Sequence, residues 1–256
     1  AYPTLVSRIA AAVIMLMLIR GRNNQVRVRK VKDLYPSFRM IGNILSVGIP
    51  SGLENSIFQV GKLTLQSLVS SLGTTALASY AVASNLVTLE YLATTAIGLG
   101  MITVVGRCVG AREYEQAKYY TRRLVLLTSG FVIVISSIMV AGYIGIVGIY
   151  QLSPEAAAEA VRMITVHSLL MVLHPIAFCL PRALRASYDP KFTMAVSIFS
   201  MWAFRVLLAY WFVRGMNLGI MGVWYGMYVD WAFRALVFAL RFHGYGKRMK
   251  AREAAI

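Results

Sequence analysis

Charge is scarce in this chain, and acid is scarcer still. Only 14% of the 256 residues are charged, with 10 acids against 26 bases. A soluble globule needs roughly a quarter of its residues charged to clothe its surface, so a water-soluble fold is excluded. Cysteine is short too. Cys108 and Cys179 are the only two and form no CxxC pair, which excludes a disulfide scaffold and a CxxC-type metal knuckle. There is no HExxH, GxSxG, Walker A or dinucleotide fingerprint, so the chain reads as a non-enzyme with no cofactor and no metal site. What it has in quantity is apolar surface. Hydrophobic residues make up 58% and the mean hydropathy is +0.65, which excludes disorder as well. An all-α polytopic membrane protein is the class that remains.

A helix crosses the hydrocarbon core with about 20 mainly apolar residues. That ruler finds seven transmembrane helices: Ala1–Ile19, Gly48–Ser71, Ala76–Val105, Leu124–Tyr150, Val161–Leu180, Thr193–Val213 and Ile220–Leu240. The runs are too long and too uniform for barrel strands. The first starts abruptly and reads as the last helix of an upstream bundle. Residues 20–45 then form a basic linker, within which Ser37–Leu45 is expected to lie on the membrane surface as an amphipathic helix. Residues 46–243 form a six-helix bundle and 244–256 a tail.

The bases sit at alternate connections. Arg20–Met40, Gly106–Arg123, Pro181–Phe192 and the stretch after Leu240 hold twenty of the 26, whereas the connections around Gly73, at Gln151–Ala160 and at Arg214–Gly219 hold one, Arg214. Two crossings separate each basic segment from the next, so all four share a side, and the positive-inside rule makes that side cytoplasmic. The linker and C-terminus are then cytoplasmic, in a plasma (inner) membrane. Topogenic loops absorb the net charge of +16, and no nucleic-acid partner is called for, because no basic patch lies outside them.

Polar residues inside the spans carry the functional expectation, since ionisable groups at bilayer depth are costly. Ser51, Asn55, Gln59, Lys62, Gln66 and Ser70 step by three and four, which keeps them on one helical face. A stripe of that length cannot face lipid; it faces water or polar protein. Lys62 has no acid three or four residues away and favours water, and Glu54 sits one position off the stripe. Ser84, Thr88, Tyr91 and Thr95 form a second stripe, with Glu90 beside it near mid-membrane. Glu90 either exchanges a proton or meets a cation, or it pairs with Lys62. His167 and His174 share a face, and Pro175 marks a bend. No further ligands are spaced for a metal, and a hydrogen-bonded histidine at a bend is the plainer reading over a titrating group. Arg205, Asp230 and Arg234 read as a structural charge group at matching depth.

Three segments resemble a known family. Gly48-Ile-Pro-Ser-Gly, Val105-Gly-Arg-Cys-Val-Gly-Ala111 with Glu115-Gln-Ala-Lys118, and Arg182-Ala-Leu-Arg-Ala-Ser-Tyr-Asp189 are similar to the C-terminal bundle of multidrug and toxic compound extrusion (MATE) transporters. The resemblance runs from about Leu5 to Arg248. It implies two six-helix bundles facing each other across a cavity, alternating access, and efflux of small organic, often cationic, compounds against Na⁺ or H⁺. The chain would pair with an N-terminal bundle it does not contain. It departs from the family in two places. Phe58 and Gln59 stand where cation-binding members carry an acid, and His174 falls near the position of an Asp. The coupling cation is therefore unassigned, with Glu90, Glu54 and His174 as candidate substitutes.

The candidate substrate and ion ligands are accordingly Asn55, Gln59, Lys62, Gln66, Glu90, Tyr91, His174 and Glu54. The resulting reading is a multidrug efflux antiporter embedded in membrane lipid. A lipid-linked saccharide flippase and a non-transporting scaffold are the alternatives.

Overall fold

The structure is a computed structural model describing residues 2–20, 37–187, 189–246 and 249. Most of the expected linker and of the C-terminal tail, and Tyr188 of the third family-like segment, lie outside the described residues. Among the described residues there is no strand. The helices are α1 (Tyr2–Arg20), α2 (Phe38–Ser70), α3 (Thr74–Gly110), α4 (Tyr114–Ile149), α5 (Pro154–Leu170), α6 (His174–Ala186), α7 (Pro190–Ser200), α8 (Leu207–Tyr210) and α9 (Gly219–His243). Two compact units result, Ala1–Ser46 and Val47–Ile256.

Among the described residues these helices make seven rods, one for each expected crossing in position, because two of them are composite. A 3₁₀ turn at Met171–Leu173 joins α5 to α6, and π turns at Met201–Val206 and Trp211–Gly215 flank α8. Four rods are long and apolar enough to cross a membrane: Thr74–Gly110, Tyr114–Tyr143, Pro154–Ala186 and Pro190–Gly215. α2 and α9 have the length but less apolarity, since polar and charged side chains run along them. Boundaries also move outward. Ser37–Leu45, expected as a separate surface helix, contributes instead to the continuous α2, and Arg182 and Arg185, expected in a loop, stand on α6. Helical backbone satisfies its own hydrogen bonds, so extending a rod beyond the hydrocarbon is cheaper than ending it at the boundary.

Local signals place the ends. Gly73 turns the chain from α2 into α3 with φ 98°, a conformation that glycine adopts without strain. Ser153 caps α5 by accepting from the Ala156 amide at 3.3 Å, with Pro154 and Glu155 in the first turn. Pro175 follows the 3₁₀ turn and has no N–H to continue the ladder.

Within the Val47–Ile256 unit the outer face of α4 presents Leu126, Phe131, Val134 and Ile138, as a lipid-facing helix should. The interior falls into two clusters. The larger centres on Leu68, Val87, Met163, Ile164, Met201 and Trp231, and the other on Met101, Val105, Leu184 and Phe238 towards the α3–α4 and α6–α7 turns. α9 packs tightly against α8 and the π turns that flank it. A Cβ on Gly226 would lie 3.0 Å from the Ala209 amide nitrogen and 3.1 Å from the Arg205 carbonyl oxygen, and one on Gly222 would meet Phe212 at 3.0 Å. This is the small-xxx-small geometry by which membrane helices approach. It presses α9 against the π-turned stretch that carries Arg205.

Candidate functional site

The two polar stripes meet. Lys62 of α2 and Ser84, Thr88 and Tyr91 of α3 line one cavity of about 330 Å³, with Tyr80, Arg205, Trp224 and Met227. Successive polar residues in a helix keep one face when spaced by three or four, and Lys62 of the first stripe and three residues of the second turn towards the same opening. Asn55, Gln59, Lys62 and Gln66 are all exposed in this unit. Asn55 lies in a second cavity of about 430 Å³ with Ser51, Glu54, Phe58, Arg182, Arg185 and Arg234. Gln59 and Gln66 line neither.

Phe58 stands between the cavities. Its ring centre lies 5.6 Å from the Lys62 ammonium, 5.5 Å from the Arg205 guanidinium and 5.6 Å from that of Arg234. Each contact draws on the negative face of the ring, and together they gather three cations about one phenyl group.

One carboxylate serves the two arginines. Asp230 is fully buried; its Oδ1 accepts from Arg234 Nε at 2.6 Å and from the Ser200 hydroxyl. Its Oδ2 lies 3.6 Å from Arg205 Nη1, too long for a hydrogen bond. Arg234 also donates from Nη2 to the Ser197 carbonyl at 2.9 Å. Arg234 is thus the tight partner and Arg205 the loose one, and Arg205 alone of the two reaches the first cavity. Lys62 has no ion-pair partner among the described residues. Glu54 is engaged elsewhere, 3.3 Å from Arg185.

Glu90 does not line the Lys62 cavity and is not paired with Lys62, so of the two readings above the pairing is not the one seen. It is fully buried, and its oxygens accept from Ser136 of α4 at 2.8 Å and Ser168 of α5 at 2.7 Å. Adjacent helix positions differ by about 100°, so once Tyr91 faces α2 and α9, Glu90 faces α4 and α5. The two serines line a groove of about 450 Å³ between those helices, and the carboxylate lies directly behind them.

An aromatic cluster separates Glu90's side of α3 from the Lys62 cavity. His174 stacks on Tyr91 with ring centres 4.7 Å apart and on Phe178 at 4.3 Å, and its Nδ1 lies 3.1 Å from the Thr94 hydroxyl. His167 is edge-on to Trp224 at 5.1 Å and Trp231 at 5.3 Å. Neither of its ring nitrogens has a hydrogen-bond partner among the described residues. Sequence reasoning missed this cluster, although Trp224, Tyr228 and Trp231 repeat at helical spacing opposite His167 and His174. Arg182 was missed as well. It lies over Gly98 and donates to the Thr95 carbonyl at 2.9 Å. No group of three or more His, Cys, Asp or Glu suited to a metal occurs among the described residues.

Residues 50–211, well over half of the chain, match the MatE family model. The chain belongs to the MatE family. Two curated relatives illustrate the MatE likeness. The probable multidrug resistance protein NorM of Thermotoga maritima is 26% identical over 243 residues, covering 94% of this chain and 52% of its own length. The uncharacterized transporter YisQ of Bacillus subtilis is 23% identical over 230 residues, covering 90% of this chain and 50% of its own. The chain thus spans about half the length of the curated relatives it matches. Among solved structures, the outward-facing conformation of a multidrug resistance MATE family transporter superposes with TM-score 0.88 at 19% identity, over 99% of this chain and 56% of that one. An inward-facing MATE structure gives 0.73, over 99% and 58%. For a MatE chain the two departures from the family pattern acquire surroundings here: Phe58 is ringed by cations, and His174 is enclosed by aromatic rings.

Proposed function

We propose that this chain is one lobe of an ion-coupled efflux antiporter for small organic compounds, working by alternating access. Membership of the MatE family carries the reading, and the cavity where the two polar stripes meet supports it. In this reading residues 46–243 form the C-terminal bundle, 1–19 closes an upstream bundle, and residues 20–45 link them. An N-terminal bundle faces the Lys62 cavity, and the linker and C-terminus are cytoplasmic in a multi-pass inner-membrane protein. A cavity of about 330 Å³ lies at the small end of the range for drug-sized ligands. That argues against a lipid-linked saccharide as cargo.

Glu90 is the residue proposed to bind the coupling Na⁺ or H⁺. A buried carboxylate flanked by two hydroxyls offers oxygen ligands for a hard cation and, equally, a site for a proton. Ion binding drives transport only through different affinity in the two conformations. Replacing Glu90 by Gln keeps the shape and removes the charge. Efflux driven by a pH or Na⁺ gradient should fall with expression intact, and unchanged drug resistance in cells carrying Glu90→Gln would remove Glu90 from the mechanism.

A further inference from the structure

Resting on the efflux reading, the charge arrangement in this lobe points to a substrate class other than the cationic compounds implied by the family resemblance. We infer that the Lys62–Arg205 cavity takes the acidic group of an aromatic organic anion. Three cations, Lys62, Arg205 and Arg234, surround Phe58, and the one carboxylate beside them, Asp230, is shared by the two arginines alone. Its Oδ1 is saturated by Arg234 and Ser200. Arg205 is held to that carboxylate only at 3.6 Å through the other oxygen, and its Nε is buried without a hydrogen-bond partner among the described residues.

The remaining acids within reach are committed. Glu90 accepts from two serines on the far side of α3, and Glu54 meets Arg185 in the other cavity. The Lys62 ammonium therefore opens on the cavity with no carboxylate of the described residues to neutralise it.

A cationic ligand entering here would meet like charge at short range, which is unfavourable in a partly desolvated site. A carboxylate would supply the missing counter-ion and accept charge-assisted hydrogen bonds from both Lys62 and Arg205. Tyr80, Tyr91 and Trp224, on the same walls, offer ring faces and edges to a planar hydrophobic body. An aromatic ring bearing a carboxylate satisfies both features, and an anionic lipid headgroup would satisfy the first alone.

The test is equilibrium binding to the intact protein in phosphatidylcholine nanodiscs, using 1-naphthaleneacetate, its methyl ester and 1-naphthylmethylammonium. These probes share one ring system and differ in charge. The acid should bind about tenfold tighter than the ammonium, the worth of one charge-assisted hydrogen bond. Lys62→Gln should weaken the acid by about the same factor and leave the ester unmoved, and Lys62→Glu should invert the order. Lys62 is exposed in this lobe, so neither variant disturbs the lobe's own core. Equal or tighter binding of the ammonium to the unaltered protein overturns the proposal. So does loss of acid binding when phosphatidylglycerol is mixed into the nanodiscs, because a headgroup then occupies the site. The two readings fail separately. Acid binding without efflux from proteoliposomes sinks the exporter and keeps the anion site, whereas drug efflux without acid binding does the reverse.

Discussion

Removing Asp230 should damage this fold more than removing either of its arginine partners, and the distances rank the three changes. Asp230→Ala strands the Arg234 guanidinium, whose side chain is only 3% exposed, with a single carbonyl contact at Ser197. Breaking a buried pair in this way costs about 3–5 kcal/mol. Arg234→Ala leaves Asp230 with Ser200 and the loose Arg205, so its cost falls near the lower end, about 3 kcal/mol. Arg205→Ala removes only a loose contact of 3.6 Å at the cavity edge and should cost the least of the three. At roughly 2–4 °C per kcal/mol for a unit this large, Asp230→Ala should lower the midpoint of a thermal ramp in detergent by about 10 °C, and Arg205→Ala by a few degrees. Asp230→Leu combined with Arg234→Met should recover most of the loss, because an apolar pair of similar volume carries no desolvation penalty. Two results would refute the reasoning: Arg205→Ala as harmful as Arg234→Ala, or a double variant no better than the worse single one.

Gly226→Ala should destabilise by about 1–3 kcal/mol through contact with the α8 backbone, whereas Gly100→Ala, with nothing within 4 Å of the new carbon, should be neutral or better. Thermal ramps on both separate helix packing from helix propensity. In a Cys108→Ser background, Gln59→Cys and Gln66→Cys in the intact protein should react with membrane-impermeant thiol reagents. Resistance at both would favour the dry scaffold over the transporter.

The helices and the two stripes were legible because spacings of three and four encode a face directly. Ser51 to Ser70 and Ser84 to Tyr91 needed no knowledge of their neighbours. Direction around the bundle was not legible. Glu90 beside Tyr91 in sequence reads as part of the same lining, and only the packing of α3 against α4 and α5 shows that it looks away. Ser136 and Ser168 are ordinary serines until they converge on one carboxylate from helices 32 positions apart in sequence. The rank of Arg234 over Arg205 likewise depends on a fraction of an ångström that depth along a helix does not carry. The π turns left no trace in the hydrophobic pattern either, since one extra residue per turn shifts the register without altering composition.

Glu90 behind the α4–α5 groove and Lys62 in the α2–α9 cavity stand on opposite flanks of a single helix. On the proposed reading, coupling ion and cargo therefore enter this lobe by separate doors, and neither evicts the other by contesting a shared ligand. Whatever exchange exists between them has to be mechanical, passed through the turn of α3 where residues 90 and 91 point to the two sides.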